Sequence, residues 1–188
     1  PASAAPTPEA ALPSSPEAAP WKIRFRSAGL ARDWPNAKVA FFQLARLDPA
    51  TLSDPQFLPI ATDLVTAMTQ HPGPEVDQIF DLLEHKMGSA GLDVLYEVLQ
   101  LRGGTRAAER ATEILKKPGV MDRASKPLRA VFDLRMAPCD GKQPLLDRLI
   151  IEGDGRALQV FDALRSTCGA SKAYDRAYRE LYTRLSKP

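Results

Sequence analysis

The sequence predicts an all-α fold of stacked antiparallel helical hairpins, about nine or ten helices on an extended tether. Three observations carry that expectation. Apolar residues recur at helical spacing almost everywhere after Pro35, and no stretch there shows the alternation of a strand. Pairs such as Asp54-Pro55, Pro118-Gly119 and Gly103-Gly104 punctuate the apolar runs as helix starts and stops. Gly88, Gly119 and Gly153 stand 31 and 34 residues apart, a period that repeated helical hairpins produce.

Residues 1–20, PASAAPTPEAALPSSPEAAP, contain six prolines and one large apolar side chain, Leu12. Such a stretch cannot repay the entropy of ordering itself, and its prolines bias it towards a semi-rigid spacer. Residues 21–188 then fit one domain, with 44% apolar residues in the chain to build its core. No apolar run reaches the roughly 18 residues of a membrane span, and the opening lacks the basic-then-apolar pattern of a secretion signal. Any anchor is expected upstream of Pro1.

Within the domain, WKIRFR (residues 21–26) reads two ways. Its alternation suits an arm that adds to a partner or lies on an acidic membrane surface, whereas Trp21, Phe25 and Ala28 fit a helix stripe packed on the first hairpin, the better-founded reading. Asn36 is the expected cap of a helix through Val39, Phe41, Phe42, Leu44 and Leu47. Asp54-Pro55 is expected to open its partner, ending at His71-Pro72-Gly73. Pro74 starts the next helix, with Val76, Ile79, Phe80, Leu83 and Met87 facing inward and Gly88 as its stop. Leu92, Leu95, Tyr96, Val98 and Leu99 define the helix that ends at Gly103-Gly104.

Thr105 caps a helix through Ala108, Ala111, Ile114 and Leu115, closed by Pro118-Gly119. A helix from about Met121 to Arg135 follows, with a kink or break expected at Pro127. The last hairpin pairs Pro144–Ile151 with a helix carrying Ala157, Leu158, Val160, Phe161 and Leu164. A terminal helix puts Tyr174, Tyr178, Leu181, Tyr182 and Leu185 on one stripe, fit to cap the stack.

The turn in that last hairpin, Gly153-Asp154-Gly155-Arg156, has two glycines in common with phosphate-cradling loops. A helix precedes it where such loops follow a buried strand, so a helix–helix turn is expected, with Gly153 left-handed and Asp154 capping the next helix. The segment EGDGRALQVFDAL resembles the signature of HEAT-like repeats, in which a helix ends at Gly-Asp, an Arg follows and an Ala-Leu helix packs back. Gly155 stands where that family often has Pro. More diffusely, GSAGLDVLYEVLQ, RASKPLRAVFDLR and CDGKQPLLDRLIIEGDGRAL together resemble helical tails that follow a Pro/Ala linker in some bacterial membrane-anchored serine/threonine kinases and lipoproteins. The resemblance implies a scaffold or sensor tail and carries over no catalytic residue.

The formal charge of +2 is unevenly spread. Residues 36–100 hold three basic and nine acidic side chains, residues 101–135 nine basic and four acidic. Arg102, Arg106, Arg110, Lys116, Lys117, Arg123, Lys126 and Arg129 are therefore the expected footprint of an acidic protein partner. Nucleic-acid binding by the same stretch is the alternative.

Cys139 and Cys168, the chain's two cysteines, bracket the last hairpin, and a disulfide between them is geometrically reasonable. It would imply an oxidising compartment. His85 has Asp77 and Asp81 at successive four-residue steps towards the N-terminus, a spacing a metal could use but which solvated helix faces also show. No H-E-x-x-H, C-x-x-C, G-x-S-x-G or Walker pattern occurs, so the sequence predicts neither an enzyme nor a cofactor. The expectation is a non-enzymatic interaction or sensing scaffold of the bacterial envelope, periplasmic or otherwise extracytoplasmic. It would meet the membrane only through an upstream anchor.

Overall fold

A computed structural model describes residues 15–71 and 73–187. The described chain forms ten α-helices and no strand: α1 (Ala19–Leu30), α2 (Trp34–Leu47), α3 (Leu58–Met68), α4 (Pro74–His85), α5 (Gly88–Leu101), α6 (Arg106–Leu115), α7 (Lys126–Met136), α8 (Leu146–Glu152), α9 (Gly155–Thr167) and α10 (Lys172–Leu185). No described helix is long and apolar enough to cross a membrane.

The expected tether falls largely on residues 1–14, outside the described residues. Its last part needs correction. Pro16–Ala18 make a 3₁₀ turn, Ala19 and Pro20 begin α1, and Ala18 is fully buried. Small residues and a first-turn proline suit a helix start as well as a spacer. WKIRFR is helical, with Phe25 buried 6.1 Å from the Phe41 ring and 6.3 Å from that of Phe57.

Three helix starts move from their expected places, each because of a proline. α2 begins at Trp34 and is capped by Asp33, which accepts the Asn36 N–H at 3.2 Å, so Asn36 lies in the first turn. Trp34-Pro35 puts the proline where its missing N–H costs nothing. Asp54 opens only a turn, accepting from the Gln56 N–H at 2.8 Å, and α3 starts at Leu58. A helix begun at Pro55 would place Pro59 in its interior, where the ring clashes with the preceding turn. The run from Met121 to Arg135 breaks: a 3₁₀ turn ends at Arg123, then Ser125 caps α7 by accepting the Leu128 N–H, with Pro127 in the first turn. The last hairpin also starts late, α8 at Leu146 after a 3₁₀ turn over Gln143–Leu145.

Buried apolar side chains form one continuous cluster from Ala18 to Leu181, through Phe41, Leu64, Phe80, Leu92, Val131, Leu149 and Phe161. Two lines of polar contacts stitch helices together over it. Lys38 of α2 pairs with Glu75 of α4 at 2.6 Å, and Asp77 and Glu84 of α4 pair with Arg110 and Lys117 beyond it at 2.7 and 2.8 Å. On the other line Asp63 of α3 meets Arg102 at the end of α5, and Asp93 and Gln100 of α5 meet Arg156 and Gln159 of α9.

The α7–α8 link holds a feature the sequence reading missed. Lys142 is 4% exposed, and its ammonium donates to the carbonyls of Leu134 at 2.7 Å, Ala137 at 2.6 Å and Arg135 at 3.3 Å. One cation thereby satisfies two of the orphan carbonyls that end α7 and that of Ala137 just beyond it.

Candidate functional site

Three adjoining recesses surround α4. The first, about 520 Å³, lies between α2 and the α3–α4 junction, with Trp34, Pro35, Met68 and Val76 as apolar walls and Lys38, His71 and Glu75 on its polar side. The second, about 450 Å³, is lined by Thr69, Val76, Asp77, Arg106 and Arg110. The third, about 340 Å³, includes Phe80, Asp81, Glu84, Glu113 and Lys117 and takes Asp77 and Arg110 as shared walls with the second. Val76 belongs to both the first and the second. The surface changes from apolar at the Trp34 end to charged at the Lys117 end. Trp34 is held there by the Asp33 cap and by Pro35, a local signal present in the sequence as Asp-Trp-Pro.

The eight basic residues expected as a partner footprint occupy different environments. Arg110 pairs with Asp77, and its guanidinium sits 4.5 Å from the centre of the Phe80 ring. Arg102 pairs with Asp63. Lys117 pairs with Glu84, whose backbone carbonyl accepts from Arg123 at 2.5 Å, so those two cations converge on one buried acidic residue. Arg129 has a buried Nε with no hydrogen-bond partner among the described residues. Arg106, Lys116 and Lys126 are exposed and make no ion pair among the described residues. The acidic segment and the basic segment thus largely meet each other across adjacent helices.

His85 approaches Glu84 at 3.6 Å and Asp81 at 3.9 Å, while Asp77 is drawn to Arg110. Among the described residues no three His, Cys, Asp or Glu side chains converge as a metal-binding group.

The Gly153-Asp154-Gly155-Arg156 segment is a helix–helix turn. Asp154 caps α9 by accepting the Arg156 N–H at 3.0 Å, and the Arg156 side chain folds back on Asp154 through Nε at 3.0 Å and Nη2 at 2.6 Å. Nη1 reaches Asp93 on α5. Burial opposes the Arg156 charge, yet the hydrogen bonds it donates to Asp154 and the charge of Asp93 hold its guanidinium above its ordinary value. Burial pushes the Asp93 and Glu97 carboxyls above theirs, with Arg156 pulling the other way. Burial likewise pushes the Tyr96 phenol up to about 12, and its hydroxyl has no hydrogen-bond partner among the described residues.

Gly153 departs from expectation, with φ −66° and ψ 157°, an extended conformation open to any residue. The glycine is required by space instead: a Cβ there would meet the Leu149 carbonyl oxygen. Left-handed glycines lie elsewhere, at Gly88, Gly104, Gly119 and Gly169, the first two, at φ +58° and +79°, joining α4 to α5 and α5 to α6.

Cys139 and Cys168 are joined in a disulfide with their Cα atoms 5.5 Å apart, pinning the turn before α8 to the end of α9. On the terminal helix, Tyr174 and Leu181 are buried and Tyr178 packs edge-on against Phe161, whereas Tyr182 stays exposed and stacks on Tyr178. Compared with known proteins, the chain matches no family model, no curated sequence and no solved structure.

Proposed function

We propose that the chain is a non-enzymatic protein-interaction scaffold of HEAT-like, solenoid type, working in the bacterial envelope and held there through its Pro/Ala-rich N-terminal stretch. The observation that carries this reading is the run of three recesses around α4, apolar at Trp34 and charged at Lys117. Helical stacks bind extended partners along such grooves between successive helices. Trp34, Met68 and Val76 would supply the anchoring contacts, and an aromatic anchor in a recess is the usual source of affinity at an interface. Arg106, Lys116 and Lys126 would draw an acidic partner towards the surface. Arg102, Arg110 and Lys117 are already matched to carboxylates, which favours a protein partner over nucleic acid.

The extracytoplasmic placement is supported by the disulfide, a bond that persists in oxidising compartments.

Site-directed photocrosslinking in the native cells tests the reading. A crosslinker at Lys38 or Arg106 should capture a discrete protein that one at Asp162, far along the chain on α9, does not. Equal capture from all three positions would overturn the assignment of the groove. Alkylation of the unreduced protein from the same cells should find no free thiol, and two free thiols would overturn the compartment.

A further inference from the structure

We infer that the outward face of α1 seats directly on an anionic lipid surface, a membrane contact in addition to the proposed tether and independent of it. The inner face of α1 is spent on the fold: Phe25, Ala28 and Gly29 are buried, Gly29 against Ile60 of α3. The opposite face carries Ile23 and Leu30, which are 73% and 74% exposed. Seven residues apart, they lie two helical turns from each other, about 10 Å, on one stripe. Ala19 and Ser27 complete that stripe, and both are exposed.

Charge singles out the occupant. From Ala18 to Arg32 the chain has four cations, Lys22, Arg24, Arg26 and Arg32, and no carboxylate, with Glu17 and Asp33 adjoining the two ends of that span. Lys22 pairs with Asp48 at 2.8 Å. Arg24 donates to the neutral Asn36 amide at 2.6 Å and lies 5.6 Å from the Trp21 ring, and its charge is offset only in part, by the Asp33 carboxylate on the far side of Asn36. Arg26 and Arg32 make no ion pair among the described residues. On the helix circumference Arg24 and Arg26 fall on opposite flanks of the Ile23–Leu30 stripe.

An apolar stripe flanked by guanidinium groups matches the two layers of an anionic bilayer surface. The aliphatic tips enter the acyl boundary while the planar forks meet lipid phosphates. A second copy of the chain fits the face poorly. A two-fold contact would set Arg24 and Arg26 against their own copies, and like charges in juxtaposition oppose association.

The full chain tests this by co-sedimentation with vesicles. Binding is expected to mixed phosphatidylcholine and phosphatidylglycerol vesicles, absent with pure phosphatidylcholine and weakened by added salt. The double variant Ile23→Ser, Leu30→Ser should lose about tenfold or more in affinity with an unchanged thermal transition, because both side chains already face solvent. Arg26→Glu should weaken binding and flatten its salt dependence. No binding to the anionic vesicles would overturn the inference, as would a double variant that binds as well as the wild type. Self-association of the wild type that the double variant abolishes would likewise overturn it, giving the face to a second copy.

Discussion

Two arginine–aspartate pairs in this molecule use the same chemistry with different consequences. Arg110–Asp77 bridges adjacent helices on the surface, with side chains 36% and 74% exposed. Arg156–Asp93 also bridges two helices, yet its side chains are 17% and 14% exposed and Asp154 shares the guanidinium. Water screens the first pair and rehydrates both partners if it breaks, so its net worth is small. The second has little water to fall back on, and removing one partner strands the other's charge in the interior. The Arg110–Asp77 contact can therefore rearrange at little cost, whereas the α5–α9 junction is fixed.

The largest effect expected is that of Arg156→Ala, about 3–5 kcal/mol of lost stability, because Asp93 is left uncompensated. Denaturant unfolding measures it, and a loss under about 1 kcal/mol would reduce this pair to the class of Arg110–Asp77. Next is the covalent tie of the same half. Cys139→Ser with Cys168→Ser opens a closure spanning 29 positions and should cost about 3–4 kcal/mol in the chain-entropy account. Hydrogen exchange should show the loss concentrated in α8 and α9. Lys142→Met should cost about 2 kcal/mol, since three carbonyls at the end of α7 lose a charged donor.

Arg110→Ala should cost about 1 kcal/mol or less, discounted for solvent screening, with the cation–π contact to Phe80 included. The smallest effect is one of pH. The folded state raises the Asp93 carboxyl above its ordinary 3.8, so the folded protein takes up this proton before the unfolded chain does. The group's contribution is then fullest below pH 3.8 and is lost as pH rises through the raised value. Asp93→Asn has no such titration. Its stability relative to wild type should therefore increase from about pH 3.5 to neutrality, measured by thermal unfolding across that range.

The helical class and most helix faces were legible in the sequence because spacing and caps are local. Thr105, Ser125, Asp154 and Ser171 each cap a helix through a side chain two or three residues from its partner. The shifted starts of α2 and α3 were legible in principle, since Pro35 and Pro59 are first-turn residues. The disulfide pair was legible from two cysteines flanking one hairpin. The charged segments were visible too, but their pairing was not. Asp77 with Arg110 and Glu84 with Lys117 are both 33 positions apart, and no local rule relates residues so separated.

The sequence by itself determined the ten helices' apolar faces, the cap at Asp154 and the cysteine pairing, because each follows from periodicity, from a hydrogen bond within a few residues or from closure of one hairpin. Only the tertiary structure decided that the basic stretch meets the acidic one, that Arg156 packs half-buried against Asp93, that Lys142 closes α7, and that α1 leaves Ile23 and Leu30 uncovered. Those outcomes depend on which helices become neighbours, and that is fixed by packing of the shared core rather than by any segment's own preference.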